Sequence, residues 1–205
     1  MSYEKKERIS VHQSDFELSQ MTKEIWESWF VGYVEELSVA LATVTFVDKY
    51  RHLSGKNKEY LRLILKGKPL LDLGAGSGWR PSDTAKLFIQ KFGISRYEGV
   101  DIECVKGEEV VCGVQVERVE EEVLGFVSKY STQTNVMSNG FLCSELVGKN
   151  CEYVRRVLRH VARVLPKDGV FIASHFDLDN DAIEAGMKLD REIDFHGGIK
   201  VWVKK

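Results

Sequence analysis

The sequence predicts an α/β protein: a mostly parallel sheet with helices on both faces, preceded by a helical amino-terminal extension. Three observations carry this. Leu70-Leu-Asp-Leu-Gly-Ala-Gly-Ser-Gly78 reads as a buried central strand running into a glycine loop. Tyr97-Glu-Gly-Val-Asp-Ile-Glu103 reads as a second short strand with an acid at its carboxyl end. Asp101 lies 101 − 72 = 29 residues beyond Asp72, the length of one strand–helix–strand unit. Finally, strand-like and helix-like segments alternate through residues 68–175, as crossovers between parallel strands require.

The elements follow in order. Residues 1–67 are expected to form a helical extension or cap. Phe16, Leu18, Met21, Ile25, Trp26 and Trp29 recur at near-helical spacing over residues 16–30. Residues 31–52 are a second helical segment, although Leu41-Ala-Thr-Val-Thr-Phe-Val47 has strand-like composition, and Asn57–Leu65 is a third. Residues 68–205 form the second unit. Its expected strands are Pro69–Leu73, Tyr97–Ile102, Val110–Val116, Asn135–Asn139 and Val170–His175. Its expected helices are Ser82–Phe92, with Pro81 suited to a first turn, Glu120–Lys129 and Cys151–Leu165. A helix over Asp181–Leu189 then leads to Arg191–Phe195 and Ile199–Lys205, a hairpin closing at Gly197-Gly198.

The spacing of the glycine loop separates its readings. Gly74, Gly76 and Gly78 permit positive φ and remove the Cβ that would hold a ligand away from the backbone. A dinucleotide fingerprint needs glycine where Trp79 stands, and the Gly-Lys-Ser/Thr of a phosphate loop is absent. A carboxylate at Asp101 can accept both hydroxyls of a ribose, which favours a nucleoside over a bare phosphate. Glu103 is the competing acid if the strand runs two residues longer.

The remaining pattern, Asp72-x-Gly74-x-Gly76-x-Gly78, resembles motif I of the class I S-adenosylmethionine-dependent methyltransferases. Arg163-Val-Leu-Pro-Lys-Asp-Gly-Val-Phe-Ile172 is similar to that family's turn before its fifth strand, and the resemblance covers residues 68–205. It implies a seven-stranded, mostly parallel Rossmann-like sheet whose antiparallel final strand lies beside the fifth. It also implies S-adenosylmethionine as cofactor and S-adenosylhomocysteine as product. Asp72 would lie near the methionine ammonium; Gly74, Ala75, Gly76 and Gly78 would lie beneath the cofactor. Asp101 and Ile102 would meet the ribose. The chain departs from the family after strand two, where Cys104 to Val110 is too short for the usual helix. The nearest adenine contacts are Gln115, Glu117 and Arg118, with Gln115 or Glu117 preferred; these residues also read as a solvated helix start.

Composition narrows the partners. With 205 residues, 43% hydrophobic, and a net charge of −2, the chain can build a sizeable core and has no global charge for gripping long nucleic acid. Four cysteines without C-x-x-C spacing suggest neither a metal site nor a disulfide framework. The charged start Met1-Ser-Tyr-Glu-Lys-Lys-Glu-Arg is unlike a signal peptide, and no apolar run of about 18 residues is present, so a cytoplasmic protein with no membrane segment is expected. The oligomeric state is not readable.

Ligands in open α/β sheets gather at the carboxyl ends of strands. There, Val136-Met-Ser-Asn-Gly-Phe141 resembles the family's fourth motif but lacks the Pro-Pro-Tyr of base or glutamine methylation, which suits a small-molecule acceptor. Asn139 is expected to orient the acceptor, or to be a turn residue. His175 is the candidate general base, or a packing or capping histidine, and Asp177 reads as orienting it or binding an amine. His160 reads as lying on a solvated face, and His196 as structural or exposed. Trp26 and Trp29 read as core or as an acceptor pocket. The basic residues from Lys49 to Lys68 read as a solvated helix face, or as an attractor of an anionic acceptor. The function expected is a methyltransferase acting on an unidentified small O or N acceptor. The alternatives are an RNA or protein methyltransferase and a non-catalytic binding module.

Overall fold

A computed structural model describes residues 14–24, 46–76, 81–139, 141–143, 151–174, 178–193 and 198–205. Two helices lead to the first strand: α2 (Phe46–His52) and α3 (Gly55–Leu65), with residues 15–24 helical before them (α1). A capping box opens α1. Ser14 Oγ accepts from Glu17 N (3.2 Å) while Glu17 Oε2 accepts from Ser14 N (2.7 Å). In α3, Ser54 caps the helix by accepting from Asn57 N.

The sheet is built from β1 (Pro69–Leu73), β2 (Arg96–Asp101), β3 (Gly107–Val111), β4 (Val114–Glu120), β5 (Asn135–Asn139), β6 (Val170–Ser174), β7 (Met187–Ile193) and β8 (Ile199–Lys204). Its order is β3-β4-β2-β1-β5-β6-β8-β7. Strands β4, β2, β1, β5 and β6 are parallel; β3 is antiparallel to β4, and β8 is antiparallel to both β6 and β7. The last strand therefore does insert antiparallel beside the fifth parallel one. After β1 the chain winds outward to one side, then returns with β5 to the other, so β1 and β5 flank the topological switch point.

The central strands are apolar on both sides, so the sheet carries two cores. Leu71, Leu73, Val100, Val136 and Phe171 face α5 (Val123–Lys129), α6 (Cys151–Val164), α7 (Asp179–Glu184) and Leu18 of α1. Leu70, Tyr97, Met137 and Ile172 face α2, α3 and α4 (Pro81–Leu87). Residues of the amino-terminal unit thus contribute to both cores. From Phe88 to Phe92 the chain continues α4 as a π-helical turn, which puts Phe88, Ile89 and Phe92 into the second core.

The sheet has eight strands, not seven. The expected single strand Val110–Val116 is a hairpin, because Cys112 (φ 52°) and Gly113 (φ 81°) form a two-residue turn with positive φ at both positions. The added strand β3 pairs outside β4, so residues 102–106 cross the carboxyl end of β4 without a helix. Strand β4 consequently runs on to Glu120, and α5 starts at Val123 rather than Glu120. At the far edge, α7 stops at Glu184. Gly186 (φ 89°) breaks the helix expected to reach Leu189, and β7 begins at Met187.

Candidate active site

Alternation along each strand decides which side chains share a face. Asp72 follows Leu70, Asp101 follows Tyr97, Asn139 follows Met137 and Ser174 follows Ile172 at even spacing. All four therefore emerge at the carboxyl edge on the face covered by α2–α4. The fold gathers residues scattered over a hundred positions of sequence into one row.

The glycine loop is fastened to β2 by backbone and side chain. Gly74 N and Ala75 N both donate to Val100 O (2.9 and 3.1 Å), and Gly76 N donates to Asp101 Oδ2 (2.9 Å). The other Asp101 oxygen accepts from Glu103 N (3.0 Å). Burial raises the Asp101 carboxyl's pKa, an effect opposed by the backbone donors of Glu103, Gly76 and Ile102. A carboxylate has about four lone-pair sites, so even three amides leave acceptor capacity on Asp101. Because β2 ends at Asp101, Glu103 stands in the following turn rather than at the strand end.

Gly74 and Gly76 have different reasons to be glycine. Both have positive φ (74° and 83°). A Cβ on Gly74 would lie 2.2 Å from Phe141 Cβ, so the loop is packed directly against the turn after β5. Among the described residues, a Cβ on Gly76 would meet nothing within 4 Å.

Asp72 is 3% exposed, and its Oδ2 accepts from Tyr97 Oη (2.5 Å). Its Oδ1 is buried and has no hydrogen-bond partner among the described residues. Burial pushes the Asp72 carboxyl up to about 7; the Tyr97 hydroxyl pulls the other way, and the nearby Asp101 charge adds to the rise. A buried carboxyl oxygen without a donor is costly unless a ligand supplies one.

On the other side of the switch point, Asn139 Oδ1 accepts from Lys49 Nζ (3.0 Å) and from Ser174 Oγ (2.5 Å). Lys49 is 2% exposed. It does not lie on the solvated helix face that its basic neighbours suggested. One signal was available: Lys49 stands three residues after Phe46, which is 1% exposed, so both project from one face of α2.

Several expected site residues fall elsewhere. Gln115 needs correction: it pairs with Val110 beside the hairpin turn, whereas Glu120 is the residue of β4 in register with Asp101. Five residues of strand put Gln115 roughly 17 Å from that edge. Glu117 and Arg118 also precede the strand end. The displaced strand boundary leaves Glu121 and Glu122 at the site's flank instead. Glu121 N donates to Asp101 O (3.2 Å). Glu122 is a buried cap of α5, accepting from Leu124 N (3.1 Å) and Gly125 N (2.8 Å), and from the hydroxyls of Ser19 and Tyr153. Ala75 and Ile102 are half-buried within the loop and the turn. His175, Asp177, Gly78, Trp79, Trp26, Trp29 and His196 lie outside the described residues. His160 is half-buried, and its Nε2 lies 2.7 Å from Asp15 Oδ2, between α6 and α1.

No protein-family model and no curated protein sequence matches the chain. Solved structures match in shape. One is Burkholderia thailandensis 1,6-didemethyltoxoflavin-N1-methyltransferase with bound 1,6-didemethyltoxoflavin and S-adenosylhomocysteine. It is 14% identical with a TM-score of 0.53, over 100% of this chain and 98% of that one. Another is MtNAS in complex with MTA and tNA, 14% identical with a TM-score of 0.50, over 93% of this chain and 70% of that one. The shared property is the fold: the chain has the Rossmann-like fold of the class I S-adenosylmethionine-dependent methyltransferases, with one added edge strand.

Proposed function

We propose that the chain is an S-adenosylmethionine-dependent methyltransferase acting on a small-molecule O or N acceptor and releasing S-adenosylhomocysteine. The observation that carries this is the loop–carboxylate unit: Gly76, with no described residue within 4 Å of its Cβ side, is held by Asp101 at the end of the strand beside β1. This unit suits a ribose lying over the loop, with its hydroxyls toward Asp101. The buried, unpartnered Asp72 Oδ1 fits a cationic donor such as the methionine ammonium. Glu121, whose amide bonds to Asp101 O, would lie nearer the adenine than Gln115. Bound S-adenosylmethionine would supply an activated methyl group on a sulfonium centre.

The protein's part is alignment. Backbone fastening of residues 74–76 fixes the ribose side, and Asn139 at the end of β5 holds the acceptor across the switch point. Such positioning converts a bimolecular displacement into a step between prearranged partners. His175, immediately beyond β6, takes the acceptor's proton where one must leave. The Burkholderia neighbour's named acceptor is a small heterocycle, which supports the small-molecule reading over RNA or protein.

The test is calorimetric titration of wild type with S-adenosylmethionine and S-adenosylhomocysteine. Micromolar binding is expected, weakened about 100-fold or more by Asp101→Ala, which removes charged acceptors, and abolished by Gly76→Val. A folded wild type that binds neither ligand overturns the enzyme reading and leaves a binding module.

A further inference from the structure

Tyr97 stands in register with Leu70 of β1, and Gly99 stands in register with Asp72. Tyr97 nevertheless bonds Asp72, its hydroxyl donating to Asp72 Oδ2 (2.5 Å). The tyrosine side chain therefore leans about 7 Å along the strands, two residues toward the carboxyl edge. We propose that Tyr97 is a positioning residue: by holding one oxygen of Asp72 it leaves the other for the ammonium of S-adenosylmethionine, and so makes the site prefer a nucleoside with an amino-acid end over one without it. This rests on the methyltransferase reading above.

Gly99 makes room for this arrangement. A Cβ at position 99 would come 3.3 Å from Tyr97 Cε1 and 3.6 Å from its Oη, and 3.0 Å from the Ala75 Cβ of the glycine loop. Gly99 lies in the extended backbone of β2, so space rather than conformation calls for glycine there. The place that a side chain beside Asp72 would fill is taken by the edge of the tyrosine ring. Tyr97 is 0% exposed, so packing fixes its ring, and the carboxylate bonded to it is fixed in turn. A phenylalanine would fill the same space; the hydroxyl adds only the bond to Asp72.

That bond does two things. It restrains rotation of the Asp72 carboxyl, so that Oδ1, buried and without a hydrogen-bond partner among the described residues, is the acceptor left for a ligand. It also favours the ionised form, because a donor bonds a carboxylate more strongly than a carboxylic acid. Tyr97 remains the donor, since burial and then the Asp72 charge hold its phenol well above its ordinary value. The neighbouring groups do not share this work. Asp101 of β2 raises the Asp72 carboxyl, and the Cys104 thiol in the following turn is pushed up to about 11 by burial. Helix α2 brings Lys49, which is bound to Asn139, two residues past the β5 partner of Asp72, Met137. An ammonium at Oδ1 supplies both a donor and a compensating charge. A nucleoside without an amine leaves that oxygen as it was.

The test compares S-adenosylhomocysteine with methylthioadenosine, which keeps the adenosine and lacks the amino acid, by calorimetric titration of the full chain across pH. Wild type is expected to hold S-adenosylhomocysteine about tenfold or more tighter, and to lose that preference as pH falls below about 7. Tyr97→Phe should reduce the preference about tenfold at neutral pH and move its midpoint up by about one unit. Its affinity for methylthioadenosine should stay within about twofold of wild type. Meta-fluorotyrosine at position 97, a stronger donor of nearly the same size, should move the midpoint down, and it decides the matter where Tyr97→Phe does not fold. A loss shared equally by both ligands, or a midpoint unmoved by either replacement, overturns the proposal and leaves Tyr97 a packing residue. A wild type that holds the two ligands alike overturns it too. Failure of wild type to bind either ligand overturns the underlying methyltransferase reading instead.

Discussion

The two sides of the switch point are built differently. On the β1–β2 side, the site is made largely of backbone: amides of residues 74–76 fastened to Val100 and Asp101, with two positive-φ glycines shaping the loop. On the β5–β6 side it is made of side chains: Lys49, Asn139 and Ser174, drawn from three separate segments. Backbone geometry holds a constant ligand, because it depends on chain conformation and tolerates change elsewhere. A side-chain cluster can be rewritten one residue at a time, which is what a variable acceptor requires.

The largest expected effect breaks the first side in two distinct ways. Gly74→Ala forces a Cβ to 2.2 Å from Phe141 in a left-handed conformation, and should cost about 4 kcal/mol of stability, read by urea denaturation. Gly76→Ala meets no neighbour and should cost only about 1 kcal/mol of strain. Its methyl group would instead fill the space beside the loop and weaken S-adenosylhomocysteine binding at least tenfold. Equal stability losses with unchanged binding in Gly76→Ala would show that both glycines serve the loop's own packing.

This division also explains what the sequence made legible. The glycine spacing and the acid 29 residues on from Asp72 are local signals, and they identified β1, β2 and the order of elements. The insertion of β8 beside β6 came from the family resemblance rather than from a local signal. Strand β3 was not, because its turn uses Cys112 at positive φ, a residue with no turn propensity to announce it. That turn carries β4 on to Glu120, so Gln115 stands beside the hairpin turn and Glu121 stands next to Asp101. Lys49 was hidden for a different reason: its basic neighbours Arg51 and His52 are exposed, and only the fold turns Lys49 inward.

Glu122 sharpens the contrast, since it is a buried carboxylate like Asp72 but fully engaged. Four donors meet it: two amides of α5, Ser19 of α1 and Tyr153 of α6. Glu122→Gln would turn an amide group toward donors, leaving at least one of them without an acceptor. A loss of about 2–3 kcal/mol in thermal or urea unfolding is expected. Ser19→Ala should lose about 1 kcal/mol. A neutral Glu122→Gln would mean that α1 is not held to the sheet through this carboxylate.

Asp72 should behave in the opposite way, because among the described residues its burial is compensated by one hydroxyl. The folded chain holds its proton more tightly than the unfolded chain, with the carboxyl pushed from 3.8 up to about 7. Its contribution to stability is therefore fully present below pH 3.8 and is lost as pH rises through about 7. Asp72→Asn keeps an acceptor for Tyr97 and removes the ionisation. The variant should exceed wild type by about 4 kcal/mol at pH 8, with the difference vanishing near pH 4. Binding should move the other way. A ligand ammonium favours the ionised carboxylate, so wild-type affinity for S-adenosylhomocysteine should fall below pH 7 by up to about tenfold per unit, while Asp72→Asn binds weakly with a flatter profile. Stability and affinity with opposite slopes, both removed by one substitution, would assign the buried carboxyl to the ligand; parallel slopes would leave it a structural residue of β1.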